Sequence, residues 1–223
     1  MRIDQLPIAT YVFLSLFLIS SIVHLVFCFL EKERIRKISK PFPLLFLMVA
    51  LIFARIDHPL IYIGSFFCLA GDVALLRKHK VWWFSFGLIF FLIGHILFIA
   101  EMGIQMGNVP WYSYLINGLI LIVYVILLFN KWRKLIRHKN IRLGAIIYSF
   151  VLISALCWAI IGSIFFSRPN FILVAVGYLL FIVSDLTLAI TLFKRDVKRR
   201  DFYIMVTYLS ASLLIGLGLI LAF

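Results

Sequence analysis

Charge is scarce in this chain. Of 223 residues, 14% are charged, nine are acidic and 65% are apolar. A soluble domain of this length has too little interior to hide that much apolar surface, so the solvent is a bilayer. Alternation of polar and apolar residues over segments of about ten, the mark of a transmembrane β-barrel, is missing as well. Continuous runs of about twenty apolar residues take its place, and helices satisfy every backbone group within one such segment. Cysteine is rare. Cys28, Cys68 and Cys157 each lie in an apolar run and read as small hydrophobes, which argues against a disulfide framework or a metal site. HExxH and HxxxH spacings are lacking, so clustered zinc ligands are not expected, and His58, His79 and His138 fall in turns. A nucleophile-elbow sequence is lacking too, which argues against Ser–His–Asp chemistry. None of the six prolines clearly breaks the middle of an apolar run, so the broken helices of many carriers are not foreseen.

What remains is a series of apolar runs. The pattern predicts an all-α polytopic membrane protein with spans at about 8–30, 41–54, 60–77, 81–100, 111–130, 143–166, 171–193 and 202–223. The first run is too long for a signal-peptide core and has no clean small-residue cleavage site, so it is expected to be a retained span. Pro41 opens the second, where a missing amide donor costs nothing. No linker has room for a soluble domain, so residues 1–223 read as a single transmembrane domain. The net charge of +13 is spread over short basic turns between the spans. Anionic lipid headgroups are its natural partners, and nucleic acid is not, because no folded soluble domain backs a basic patch. Of the 22 Lys and Arg residues, 19 fall after spans one, three, five and seven; Arg2, Arg55 and Arg168 are the exceptions. By the positive-inside rule both termini are extracytoplasmic.

Two spans carry a carboxylate. Asp72 stands in LIYIGSFFCLAGDVALLR (60–77) and Asp185 in GYLLFIVSDLTLAITLFK (177–194), each eight residues after a glycine, Gly64 and Gly177. A charge in hydrocarbon costs about 3 kcal/mol on insertion scales, so such residues are functional-site candidates by default. The shared spacing also hints at a parallel 4+4 repeat. At a rise of about 1.5 Å per residue, Asp72 lies roughly 8 Å from Arg77 and Asp185 roughly 13 Å from Lys194, with His24, Tyr148 and Tyr208 at similar depth. Five polar groups from five spans thus share the inner half of the membrane and are expected to converge on one cavity. Tyr178, seven residues before Asp185, extends the same face, and His95 sits higher beside Gly94. The bland readings are helix-bridging for His24 and His95, cavity lining for the three tyrosines, and bonds back to their own helix for Ser184, Thr187 and Thr191. Lys40, beside Pro41, is placed to meet a lipid phosphate.

The segments SKPFPL (39–44), LAGDVAL (69–75), FFLIGHILF (90–98), IIYSFVLISALCW (146–158) and LLFIVSDLTLA (179–189) together resemble the YhhN-like lysoplasmalogenase family. Their order follows that family's Lys-Pro, Gly-Asp, His, Tyr-Ser and Ser-Asp landmarks, with Phe42 where leucine is commoner. The resemblance implies an eight-span hydrolase of the cell membrane (the inner membrane in a bacterium). It cleaves the vinyl-ether bond of a lysophospholipid to a fatty aldehyde and a glycerophospho-ethanolamine or -choline, and needs no cofactor. Asp72 and Asp185 would then be catalytic, one as proton donor and one as counter-charge or water activator, with the assignment open. Lys40, His95, Tyr148, Tyr178, Tyr208 and Ser184 would contact the substrate or orient water. The same carboxylates also suit a proton-coupled carrier, and a lipid-binding scaffold would leave them unexplained. Self-association into a homo-oligomer is left open.

Overall fold

The computed structural model describes residues 6–54, 57–76, 81–135, 139–193 and 197–221. Arg2, Arg55, Arg77, His79, His138 and Lys194, all named above, lie outside them. Among the described residues there is no strand, and nine helices follow one another: α1 (Ile8–Phe29), α2 (Glu33–Ser39), α3 (Pro41–Ala54), α4 (Pro59–Leu75), α5 (Val81–Met106), α6 (Trp111–Leu135), α7 (Lys139–Phe165), α8 (Phe171–Phe193) and α9 (Arg200–Ile220). The eight expected spans correspond to α1 and α3 to α9. Among the described residues, six stretches are long and apolar enough to cross a membrane, α2 and α3 counting together as Glu33–Ala54, while Pro59–Leu75 and Trp111–Tyr124 are shorter apolar helices. Exposed Ile, Leu, Val and Phe side chains stud the outer faces of these helices. The chain is a multi-pass integral membrane protein, and that apolar exterior is what lipid would cover.

Some boundaries differ from the sequence reading. The basic stretch after the first span is not simply a turn, because its central part folds as α2 and runs almost directly into α3. Lys40 keeps helical dihedrals of −56° and −44° at the junction, although the residue before a proline usually avoids them. The expected loop at 101–110 begins later. α5 continues to Met106 and ends at Gly107, whose φ of 73° is in the left-handed region and whose amide donates to the Gly103 carbonyl, a glycine cap. Much of the basic 131–142 segment extends α6 and α7.

Six helices close a ring. α3 packs on α4, α4 on α5, α5 on α7, α7 on α8, α8 on α9, and α9 returns to α3; α1 leans on α3 and α9 from outside, and α6 leans on α7. A close seam, α4 against α5, is made by two glycine pairs one heptad apart. A Cβ on Gly94 would stand 2.8 Å from the Gly64 carbonyl oxygen, and one on Gly71 would stand 2.8 Å from the Phe91 ring and 3.2 Å from the Gly87 carbonyl oxygen. Small residues let membrane helices approach this closely. Inside the ring, Phe91, His95, Phe181 and Tyr208 stack edge to face in a central aromatic plug, with Tyr148 and Tyr178 against His95. The plug fixes the phenols that reach the carboxylates.

Candidate active site

Asp72 is placed by its neighbour. Gly71 faces α5, and the next residue, turned about 100° around the helix, faces into the ring. Asp72 is only 3% exposed. Its Oδ1 lies 3.0 Å from Lys40 Nζ, and its Oδ2 accepts from the Tyr208 hydroxyl at 2.8 Å. Three elements meet here: α4, the α2–α3 junction and α9. The charged carboxylate is thus compensated by one cation and one phenol, as burial of charge requires.

Asp185, on α8, is half-buried. The Tyr148 hydroxyl of α7 donates to its Oδ2 at 2.5 Å, the short distance typical of a charge-assisted O–H···O bond. Among the described residues the Asp185 carboxylate meets no cation. Ser184 does not bond back to its own helix as expected; its hydroxyl donates across to the Ile204 carbonyl of α9 at 3.1 Å. Thr187 and Thr191 do bond back, to Val183 and Thr187. Ser184 therefore ties α8 to α9 one residue from the carboxylate.

Both carboxylates line one cavity of about 750 Å³, together with Lys40, Ser184 and Tyr208. Its rim is charged, with Arg36, Arg199 and Arg200 beside Glu31, Glu33 and Asp201, from α2, the start of α9 and the turns that follow α1 and precede α9. Arg36 is ion-paired with Asp201. The Arg199 guanidinium lies over the Phe29 ring at 3.8 Å while its amide donates to Glu31. Glu31 and Arg199 both hold positive φ, 55° and 58°, so the clasp between these turns is strained backbone held by contacts. On the other side of Asp185 lies a smaller cavity of about 190 Å³, lined by Leu88, Tyr148, Leu152, Ile153 and Ile182 among mostly apolar groups. Asp185, Leu75, Phe91 and Leu188 border both spaces.

The structure thus brings together Asp72, Asp185, Lys40, Tyr208 and Ser184, with Tyr148 bound to Asp185. It sets His95 and Tyr178 apart. These two are fully buried in the plug, with the Tyr178 hydroxyl 3.3 Å from His95 Nδ1, and neither lines the two-carboxylate cavity. His24, read as structural, contacts the Ser39 hydroxyl at 2.7 Å and also borders the cavity. Lys40, read as a phosphate ligand, is engaged by Asp72. The sequence reading assigns the basic segments to topology and to lipid headgroups and places only Lys40 at the site. The signal for the rim arginines is the Arg36-to-Lys40 spacing, which puts both on one face of a helix. A second polar cluster was also missed, at the opposite end of α4. His58 Nδ1 lies 2.6 Å from Glu101 Oε1, and Gln105 donates to the same oxygen and to the Leu219 carbonyl. Among the described residues, no three His, Cys, Asp or Glu side chains gather as a metal-holding group.

The ring of membrane helices thus places two carboxylates from different helices on one cavity within the bundle. Residues 35–219 match the YhhN family, and the chain belongs to it. The matched region begins within α2 and includes Lys40, Asp72, Tyr148, Ser184, Asp185 and Tyr208. No curated protein and no solved structure matches the chain.

Proposed function

We propose that this YhhN-family protein is a lysoplasmalogenase-like ether hydrolase. Its substrate is a lysophospholipid carrying a vinyl-ether chain, and its membrane, in a bacterium, is the inner one. The observation that carries the reading is that Asp72 and Asp185 line one cavity, each accepting a hydrogen bond from a tyrosine on another helix. Vinyl-ether hydrolysis needs what such a pair offers. A carboxylic acid protonates the alkenyl carbon β to oxygen, and the π electrons move to leave an oxocarbenium ion. Water adds to the carbon bearing oxygen and passes its proton to the second carboxylate. The hemiacetal then collapses: its hydroxyl proton returns to the first carboxylate, the second protonates the departing glycerol oxygen, and an aldehyde and an alcohol leave.

The two environments divide these roles. Asp72, in its ion pair with Lys40, is the carboxylate that receives the water proton. Asp185, meeting no cation among the described residues, is the proton donor. Tyr148 fixes the donor's orientation and Tyr208 that of the base. The rim arginines suit a phosphate at the cavity mouth. The proposed topology keeps both termini extracytoplasmic, supported by the 19 of 22 basic residues on the other side. The 4+4 repeat has the Gly64–Asp72 and Gly177–Asp185 spacing in its support.

The test is aldehyde release from a lysoplasmenyl-ethanolamine by the purified protein in detergent, with and without EDTA. Asp185→Asn should lower kcat by about 10²–10⁴, the usual worth of a positioned acid, and Asp72→Asn should also lower it strongly. Full activity in either well-folded variant would remove the two-carboxylate mechanism. No aldehyde from wild type, with substrate uptake into sealed vesicles instead, would make the protein a carrier.

A further inference from the structure

The hydrolase reading leaves open how the substrate lies, and the two cavities on either side of Asp185 answer it. The larger one is charged, with Lys40, Arg36, Arg199 and Arg200 in its lining beside Glu31, Glu33 and Asp201. The smaller is walled by Phe84, Leu88, Leu152, Ile153 and Ile182, with Tyr148 and Asp185 at its polar edge. A single-chain ether phospholipid has the same division: a charged headgroup at one end, a hydrocarbon tail at the other, and the reactive bond at the join. Asp185 sits at the join of the two cavities.

We infer that the apolar cavity between α5, α6, α7 and α8 holds the start of the substrate's hydrocarbon tail, with the headgroup in the larger, charged cavity and the vinyl ether beside Asp185. This inference rests on the hydrolase reading for the identity of the bond. The volume supports one tail. At about 190 Å³ the space is slightly larger than the about 150 Å³ apolar cavity that takes one benzene. It accepts the first several methylenes of a single chain and excludes a second chain, so a two-chain lipid is rejected by size. The orientation also agrees with the chemistry. The carbon that must be protonated is on the tail side of the ether oxygen, and Asp185, unlike Asp72, reaches the tail compartment. The water to be activated belongs on the polar side, where Asp72 and Lys40 stand.

The experiment uses the full-length protein and vinyl-ether lysophosphoethanolamines of graded tail length. In wild type, kcat/KM should rise by about fourfold for each methylene the cavity takes up, then level off. Ala145→Phe, which fills the cavity from α7, should move the plateau to shorter tails and lower kcat/KM for long ones by at least tenfold. Leu152→Ala, which enlarges it, should move the plateau the other way. Either shift, in whichever variant inserts stably, supports the compartment; profiles that superimpose on wild type overturn it. A saturated alkyl analogue with a photoreactive group in the proximal tail supplies a readout independent of turnover. Labelling within 84–91, 145–153 or 182–189 supports the compartment, and labelling confined to other segments overturns it. Labelling there without aldehyde formation would sink the hydrolase reading alone, whereas aldehyde formation with labelling elsewhere would sink the tail site alone.

Discussion

Removing Lys40 should cost more than removing the charge it compensates. Asp72 and Lys40 lie 3.0 Å apart with side chains 4% and 17% exposed. Losing one partner of a buried ion pair costs about 3–5 kcal/mol, because the survivor is left as an uncompensated buried charge. Two features here reduce that figure. Asp72 keeps the Tyr208 hydroxyl at 2.8 Å, and the cavity beside it has polar walls and room for water. For Lys40→Met the expected loss is therefore roughly 2 kcal/mol, between a surface pair and a dry buried one. Asp72→Asn should cost about 1 kcal/mol, since the amide oxygen still accepts from Tyr208 and the long Lys40 stem can swing its ammonium into the cavity. The double variant retains no unpaired charge and should match Asp72→Asn alone, a coupling of about 2 kcal/mol. Thermal unfolding in one detergent at one heating rate, followed by tryptophan fluorescence, reads this out. At about 2–4 °C per kcal/mol for a chain of this size, Lys40→Met should melt roughly 4–8 °C below wild type. Equal melting of Lys40→Met and wild type, or a double variant showing the sum of both losses, would refute a functional ion pair at this position.

Tyr148→Phe removes the 2.5 Å bond to Asp185 and should lower kcat about tenfold to a hundredfold, the worth of one hydrogen bond to the charge that develops on the donor as its proton leaves, with little change in melting temperature. Gly94→Ala presses a methyl toward the Gly64 carbonyl at 2.8 Å and should destabilise by about 1–3 kcal/mol. Gly103→Ala in the same helix meets nothing within 4 Å and should be neutral or stabilising by up to about 1 kcal/mol; equal melting of the two would contradict the close α4–α5 seam. His58→Phe leaves the 1% exposed Glu101 without its 2.6 Å partner and should cost about 1–3 kcal/mol. Activity per folded molecule should hold, because that cluster is at the far end of α4 from Asp72; a lost kcat at unchanged stability would show that the ends are coupled.

The helical plan was legible because lipid imposes one strong rule. An uninterrupted apolar run of sufficient length has little alternative to a helix, and Pro41, Pro59 and the basic turns mark where runs stop. The boundaries that shifted did so where composition is ambiguous. EMGIQM (101–106) contains a charge and a glycine, yet it continues α5 because Glu101 finds Gln105 one turn on and His58 across the bundle. The seven residues of α2 read as a turn because charge density was weighed and helical spacing was not. Convergence of Asp72, Asp185, Tyr148 and Tyr208 was foreseeable from depth alone. Which phenol serves which carboxylate was not, since depth fixes position along the membrane normal and says nothing of azimuth. That pairing follows from the ring order, with α7 beside α8 and α9 returning toward α3 and α4, a long-range property of packing.

The asymmetry between the carboxylates is itself an argument about what they are for. A helix-bridging aspartate needs only enough partners to offset its burial, and two such bridges in one bundle would be expected to look alike. Asp72 has a cation, a phenol and nearly complete burial. Asp185 has one phenol, partial exposure and an edge on each of two cavities of opposite character. Stability gains nothing from leaving a carboxylate half-open between a charged space and an apolar one. The proposed hydrolysis would require it, because its acid must touch the reacting carbon while the base and its water stay on the polar side.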